Sequence, residues 1–431
     1  MRMTGLNFES IPSIDSPFRF YLTAPLFAIL ASLLLIEQGS NLWLTRWMPS
    51  TLAITHLVAL GVMGMVMIGS LFQVMPVLCG APIPITGTRL TILHLTFASG
   101  ALFLCAAFIG LVSFDYGFIL LGLSLGYFLF SLLKVLIVQA SGEQTRLPIL
   151  LAITALGIVM FAGLMLLSGY LWGWQVTTGK SLTNLHAGTA LFGWIMLLVM
   201  AVSFQVIPMF HVTPVFPRYC QVGLVVATLV GLWLIIADTL AGTEFKHVGS
   251  LNAFVAILYA LLGLNRISQR KRKLPDVVIS YWQVAFTCLV IGCALLIALP
   301  FLSGEWRSKA EILMALVIGC GFILGIIQGM ILKIVPFLIS LHLQSVAMKN
   351  PASMMLLPDH YSLVSRTQGK VQFWLYILVL ASVVVSFVEP ELTRVLGAVF
   401  MFNWLCVGYN IVKASGSYLK VRDEMLNYTT S

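Results

Sequence analysis

Long apolar runs separated by short polar loops dominate this chain. Runs of about 20 residues, the length that crosses a bilayer as a helix, fall near 20–36, 52–75, 91–112, 117–139, 147–169, 185–210, 219–239, 249–265, 280–302, 311–335, 371–388 and 392–412. Charged positions gather between them. The pattern predicts an all-α integral membrane protein with about twelve transmembrane helices, all in one membrane domain. The longest polar stretch, 340–370, holds Pro351 and Pro358 and is expected to be a cytoplasmic loop with a short interfacial helix.

Three of the apolar segments end alike: Phe72-Gln73-Val74-Met75-Pro76, Phe204-Gln205-Val206-Ile207-Pro208 and Leu332-Lys333-Ile334-Val335-Pro336. A glycine precedes each proline at one fixed spacing: Gly61, Gly193 and Gly321. The prolines recur with a period of about 130 residues, too long for a solenoid and the right length for four helices with their loops. Three four-helix units follow, at roughly 20–145, 146–279 and 280–412. Gln73, Gln205 and Lys333 hold matched positions beside the prolines, where a polar side chain can serve a carbonyl that proline leaves unpaired. Lys333 is expected to snorkel to the inner surface.

Composition agrees: 60% of residues are hydrophobic and 9% charged, far below the roughly 25% charge of globular domains. The amino-terminal stretch carries Arg2, Glu9, Asp15 and Arg19 and no cleavable apolar core. The excess of Lys and Arg in inner loops orients such proteins. With the amino terminus inside, only six of the 24 basic residues (Arg46, Lys180, Lys246, Arg307, Lys309, Arg394) fall outside, and both termini are cytoplasmic. The cluster Arg266, Arg270, Lys271, Arg272 and Lys273 anchors that orientation, with contact to anionic lipid rather than nucleic acid. The seven cysteines show neither CxxC spacing nor a disulfide framework.

Two of the repeat helices carry a histidine near their start, His56 ahead of Pro76 and His186 ahead of Pro208. At 1.5 Å per residue each histidine-to-proline stretch rises about 30–33 Å, so each histidine sits near the outer boundary when its proline sits near the inner one. An ionisable group at that depth faces a polar interior, meets headgroup water, or ligates something, and neutral imidazole is a common ligand of metals and heme iron. Both helix starts are polar (Thr51, Thr55, Thr183, Asn184), so a plain interfacial histidine stands beside the ligand reading. The small residues Gly61, Gly64, Gly69, Gly188 and Gly193 suit close helix packing or a flat macrocycle. His94, His211 and His342 lie toward the inner face, where a small metal site would need all three, and no close spacing joins them.

At these residues the chain resembles the large subunit of the heme-copper oxidases, nearest to the cbb3-type oxidases and the nitric-oxide-response membrane proteins. The segment from His56 through Gly61 to Pro76 is similar to that family's second helix, whose histidine ligates the low-spin heme. His186-Ala187-Gly188 through Pro208 is similar to its sixth helix, whose histidine binds copper. The resemblance implies a pseudo-threefold arrangement of three four-helix arcs, cytoplasmic termini, a bacterial inner-membrane location, and a b-type heme on His56 with a metal on His186. It also implies partner subunits of a respiratory or cytochrome kind.

Four of the family's six ligands are missing: 221–238 and 311–336 contain no histidine. That argues against binuclear reduction of oxygen or nitric oxide. Met314 stands as far before Pro336 as His186 does before Pro208. It could be a thioether ligand or packing, and Glu311 invites the same two readings. The expected function is a catalytically incomplete relative that binds heme b or copper, or neither, for electron relay, gas or redox response, or respiratory assembly. The alternative is a cofactor-free scaffold or small-solute transporter, against which the lack of midplane charge counts.

Overall fold

The computed structural model describes residues 13–140, 143–173, 179–243, 247–271 and 273–428. Arg2, Glu9, Lys246 and Arg272 lie outside the described residues. Among those described there is no strand, and twelve helices are long and apolar enough to cross a membrane. They are α1 (Asp15–Trp43), α2 (Pro49–Cys79), α3 (Gly87–Phe108), α4 (Phe114–Val138), α5 (Thr145–Trp172), α6 (Lys180–His211), α7 (Arg218–Ala241), α8 (Ser250–Ser268), α9 (Val277–Phe301), α10 (Gly304–Lys349), α11 (Arg366–Val388) and α12 (Pro390–Leu426). Large apolar side chains such as Leu26, Phe130, Trp233 and Trp374 face outward. In water so large an apolar surface would drive association. Around this bundle it is the surface that lipid covers, as in a multi-pass membrane protein.

The helices are longer than the apolar runs alone predict. Proline does not end α2, α6 or α10; each continues past it, α10 to Lys349. Leu338, Ile339, Leu341 and Leu343 beyond Pro336 are buried, and their packing offsets the one backbone bond that proline removes. The loop expected over 340–370 therefore starts only after Lys349, with a 3-10 turn at Pro351–Leu356 and a four-residue helix at His360–Leu363. Asn350 Nδ2 donates to the carbonyls of Met425 (3.1 Å) and Tyr428 (2.9 Å), which ties this loop to the extended end of α12.

A deviation from α-helical winding recurs in all three repeat helices. Leu57–Gly64, Thr189–Met196 and Val317–Ile323 are π-helical, a winding that is rare and mostly confined to single turns. Each segment contains its unit's repeat glycine. A Cβ on that glycine would come under 3.0 Å from Phe27 of α1 at Gly61, Ala155 of α5 at Gly193 and Cys288 of α9 at Gly321. The first helix of each unit thus seats on the second at a point only glycine permits. Of the two roles open to Gly61 and Gly193, packing is the one these contacts fill. At the far side of the bundle α12 returns to α1, where a Cβ on Gly397 would stand 2.7 Å from Ile36 and 3.1 Å from the Ser32 carbonyl.

The three repeat helices meet around an apolar cavity of about 110 Å³. Each contributes the residues ten, nine, six, five and two places before its proline, from Val66, Leu198 and Ile326 to Val74, Val206 and Ile334. The hydroxyls at its wall are paired, Tyr21 with Ser70 at 3.0 Å and Tyr259 with Ser203 at 2.7 Å.

Candidate functional site

His56 closes the α-helical start of α2, immediately before the π-helical segment, and His186 stands three residues before the corresponding segment of α6. The two rings come together. Their centroids are 6.3 Å apart and their planes 24° from parallel. Each ring is held by a main-chain carbonyl at Nδ1: Leu52 O at 2.8 Å for His56 and Val159 O, on α5, at 3.0 Å for His186. A carbonyl can only accept, so Nδ1 carries the proton in both rings and Nε2 keeps its lone pair. This is the tautomer that metal-bound histidines adopt, with the second nitrogen oriented by a carbonyl.

The surroundings of the pair come from both of the first two units. Phe108 of α3 lies 5.2 Å from the His56 ring and continues into Phe114 and Tyr170. On the other side Gly163 of α5 leaves room for His186, whose Cε1 would stand 2.9 Å from a Cβ there. Both histidines are half-buried. In the family resembled, these two positions serve different metal centres; here they are neighbours.

The donor set bears on which group could be held. Among the described residues no cluster of three or more His, Cys, Asp or Glu is placed to share a metal ion. A bare copper or zinc ion needs three or four protein donors, whereas heme iron takes four nitrogens from its macrocycle and needs only axial ligands from the chain. Two imidazoles with free Nε2 atoms fit the second requirement and not the first.

The third repeat helix has no counterpart to the pair. Met314 packs against the hydrophobic core. Glu311 forms an ion pair with Arg46 at 3.2 Å, and Arg46 also donates to Asn184 Oδ1 at 3.0 Å. One guanidinium between α1 and α2 therefore joins the starts of α6 and α10, with Asn184 two residues from His186.

At the opposite ends of the helices the remaining histidines are not gathered. His94 Nε2 lies 2.9 Å from the Thr23 hydroxyl and its ring meets Phe20 edge-on at 4.9 Å, contacts that join α1 to α3. His211 belongs to a different group. Its Nδ1 lies 3.7 Å from Asp276 Oδ2, and Lys333 Nζ lies 3.6 Å from the same oxygen. Lys333 therefore has a specific partner in addition to its route to the surface. Burial raises the Asp276 pKa, but the His211 imidazole, the Lys333 ammonium and the Val278 N–H outweigh it and hold the carboxyl down at about 2. Of the two repeat glutamines, Gln73 is buried with its Nε2 unpartnered, and Gln205 is half-buried.

No protein-family model matches the chain, and no curated protein does.

A second polar feature was not singled out from the sequence. Gln328 of α10 and Asn403 of α12 exchange amide hydrogen bonds at 2.7 and 3.2 Å, and both are fully buried. Asn403 also donates to the Gln372 carbonyl, Asn410 to Gln372 Oε1, Gln368 to Asn410 Oδ1, and Lys413 to Gln368 Oε1. The signal was available: Gln328, Gln372, Asn403 and Asn410 are amides inside apolar runs, and the last two are seven residues apart on one helical face.

Proposed function

We propose that this chain is a redox-active or gas-responsive membrane protein in which His56 and His186 together hold one b-type heme between the first two four-helix units. The reading rests on one observation, the adjacency of two imidazoles whose Nδ1 atoms are both committed to main-chain carbonyls. When bound, the heme would supply one-electron exchange with its iron. The chain's own part is to fix both rings in the ligating tautomer, to wall the site with Phe108, and to keep Gly163 open behind His186.

In this proposal the units form the pseudo-threefold arrangement of the heme-copper oxidase large subunit, with cytoplasmic termini in a bacterial inner membrane. The matched π-helical turns, the matched glycine contacts and the five matched cavity positions per helix support that relationship, and the resemblance carries it. The missing ligands argue for electron relay, gas or redox response, or support of a respiratory assembly through partner subunits, and against oxygen or nitric oxide reduction. A cofactor-free scaffold is the second reading. It is favoured by the side chains that already fill the faces of Gly61 and Gly193.

The test is to purify the protein in mild detergent after expression with ample heme, and to record oxidised and dithionite-reduced spectra beside iron and copper assays. The expected result is about one b-type heme per chain whose occupancy falls in both His56→Ala and His186→Ala. Protein without heme or copper, or heme that survives both substitutions, sinks the proposal; the first outcome leaves the scaffold.

A further inference from the structure

A polar pocket of about 130 Å³ opens at the inner ends of the helices, where the second and third units meet. Its wall includes His211 from α6, Arg270 from the loop before α9, Asp276 at the start of α9, Lys333 from α10, and Tyr361 and Arg366 around the start of α11. Three cations and an imidazole thus face one carboxylate. That carboxylate is already engaged, with Lys333 at 3.6 Å and His211 at 3.7 Å. Among the described residues neither Arg270 nor Arg366 is paired with a carboxylate: Arg270 donates to the Leu274 carbonyl at 3.2 Å, and Arg366 lies over the Tyr361 ring at 4.3 Å.

His211 makes the pocket more than a charged surface. Its side chain is 1% exposed; Nδ1 has only the 3.7 Å approach to Asp276 Oδ2, and Nε2 has no hydrogen-bond partner. A buried ring nitrogen without a hydrogen-bond partner is unfavourable, and a ligand oxygen in the pocket would supply one. The backbone next to it is also unusual. Val212 takes a left-handed conformation, with φ of 51°, that β-branched residues rarely adopt. Its carbonyl is held by the Lys271 N–H at 3.0 Å, which fixes the loop that carries Arg270.

We infer that this pocket binds a phosphate-type anion, between the guanidinium groups of Arg270 and Arg366, the Lys333 ammonium and the His211 ring. Arginine forks and a lysine point charge are the usual partners of phosphate oxygens. The volume suits one phosphate-sized group and falls well short of the roughly 300–1,000 Å³ that larger ligands occupy. Exposed Leu274 and Tyr361 stand at the mouth, so the phosphate can be that of a lipid headgroup or a free ion.

The full-length protein in neutral detergent distinguishes these sources. Retention of phosphatidylglycerol and of phosphatidylcholine would be compared by native mass spectrometry, and inorganic phosphate titrated separately by phosphorus NMR. Selective retention of phosphatidylglycerol identifies the headgroup; phosphate binding without lipid selectivity identifies the free ion. Either sustains the inference, provided Arg270→Gln and Lys333→Met each weaken binding about tenfold or more, as loss of a charge-assisted hydrogen bond does. Lys273→Gln, a cation in the same loop but outside the pocket, should change nothing. Arg270 is half-exposed, so Arg270→Gln remains a fair test if Lys333→Met does not fold. The inference is overturned if neither probe binds in preference to phosphatidylcholine, if the pocket variants bind as the parent does, or if Lys273→Gln weakens binding as much as Arg270→Gln.

Discussion

Replacing Gln328 with leucine tests the buried amide network of the third unit. The substitution removes the bond from Gln328 Nε2 to Asn403 Oδ1 at 2.7 Å, the return bond at 3.2 Å and the weaker one from the Tyr281 hydroxyl at 3.4 Å. Asn403 Oδ1 is then left without its donor. Leucine restores apolar volume, so cavity formation is a minor part of the cost. A buried group left unsatisfied costs about 1–3 kcal/mol, while interhelical hydrogen bonds in membranes average about 0.6 and reach about 1.7 kcal/mol. With three bonds lost, Gln328→Leu should cost about 2–4 kcal/mol. Asn403→Leu should cost about 2–3 kcal/mol by the same reasoning. Once the partner is gone, the second substitution removes fewer bonds and the orphaned groups leave with it. The double variant should therefore be more stable than the sum of the singles predicts by about 1–2 kcal/mol. Unfolding in mixed micelles of rising sodium dodecyl sulfate fraction measures all four corners of the cycle. Additivity within about 0.5 kcal/mol would refute the reciprocal pair as an energetic unit.

Two further predictions bear on the frame and on the inner face. Gly321→Leu drives a side chain into Cys288, and Gly61→Leu into Phe27; each should cost about 3 kcal/mol or more and abolish a monodisperse size-exclusion peak. Gly126→Leu, with nothing within 4 Å of a new Cβ, should leave that peak intact, and equal behaviour of the three would count against close packing at the repeat glycines. Asp276 supplies stability whose pH dependence has a definite sign. Its folded pKa of about 2 lies below the ordinary 3.8, so its contribution is complete above about pH 4 and is lost as the pH falls through 2. The stability gap between the parent and Asp276→Asn should be about 1–2 kcal/mol at pH 6, after allowance for solvent access, and should narrow below pH 4. A gap that widens there would show that the carboxylate is not held by Lys333 and His211.

Helix number and placement were legible because the apolar runs have the bilayer's length, and the glycine-to-proline repeat located the three helices that surround the central cavity. Their ends were less so. Where α10 runs past Pro336 and α12 past residue 412, the sequence turns more polar while one face stays buried through tertiary contact, which a run-length criterion cannot register. The π-helical turns carried no signal of their own; their constraint lies in the helix packed against Gly61, Gly193 and Gly321. His56 and His186 were recognisable singly as histidines near the starts of two repeat helices. Their adjacency depends on how α2 and α6 face each other, which no local spacing encodes. Lys333 stood out as a cation inside an apolar run, but its partner Asp276 lies in the loop before α9, beyond the reach of any local pattern.

The three copies share their frame and differ in what they attach to it. At the cavity-lining positions all three are apolar apart from Ser70 and Ser203, and at the glycine all three accept the preceding helix. Eight residues before the proline, however, stand Ile68, Met200 and Gln328, and only the third builds an amide network. Toward the start of each repeat helix stand His56, His186 and Met314, and only the first two can ligate through nitrogen. Three residues before the proline, Gln73 and Gln205 give way to Lys333, and only the third copy has an ion pair there. The frame alone would be satisfied by leucine or methionine at every one of these places. Two imidazoles brought together at one junction, and a lysine and a buried histidine around one carboxylate at another, are chemistry that packing does not require. Those two junctions, and not the central cavity, are where ligands should be sought.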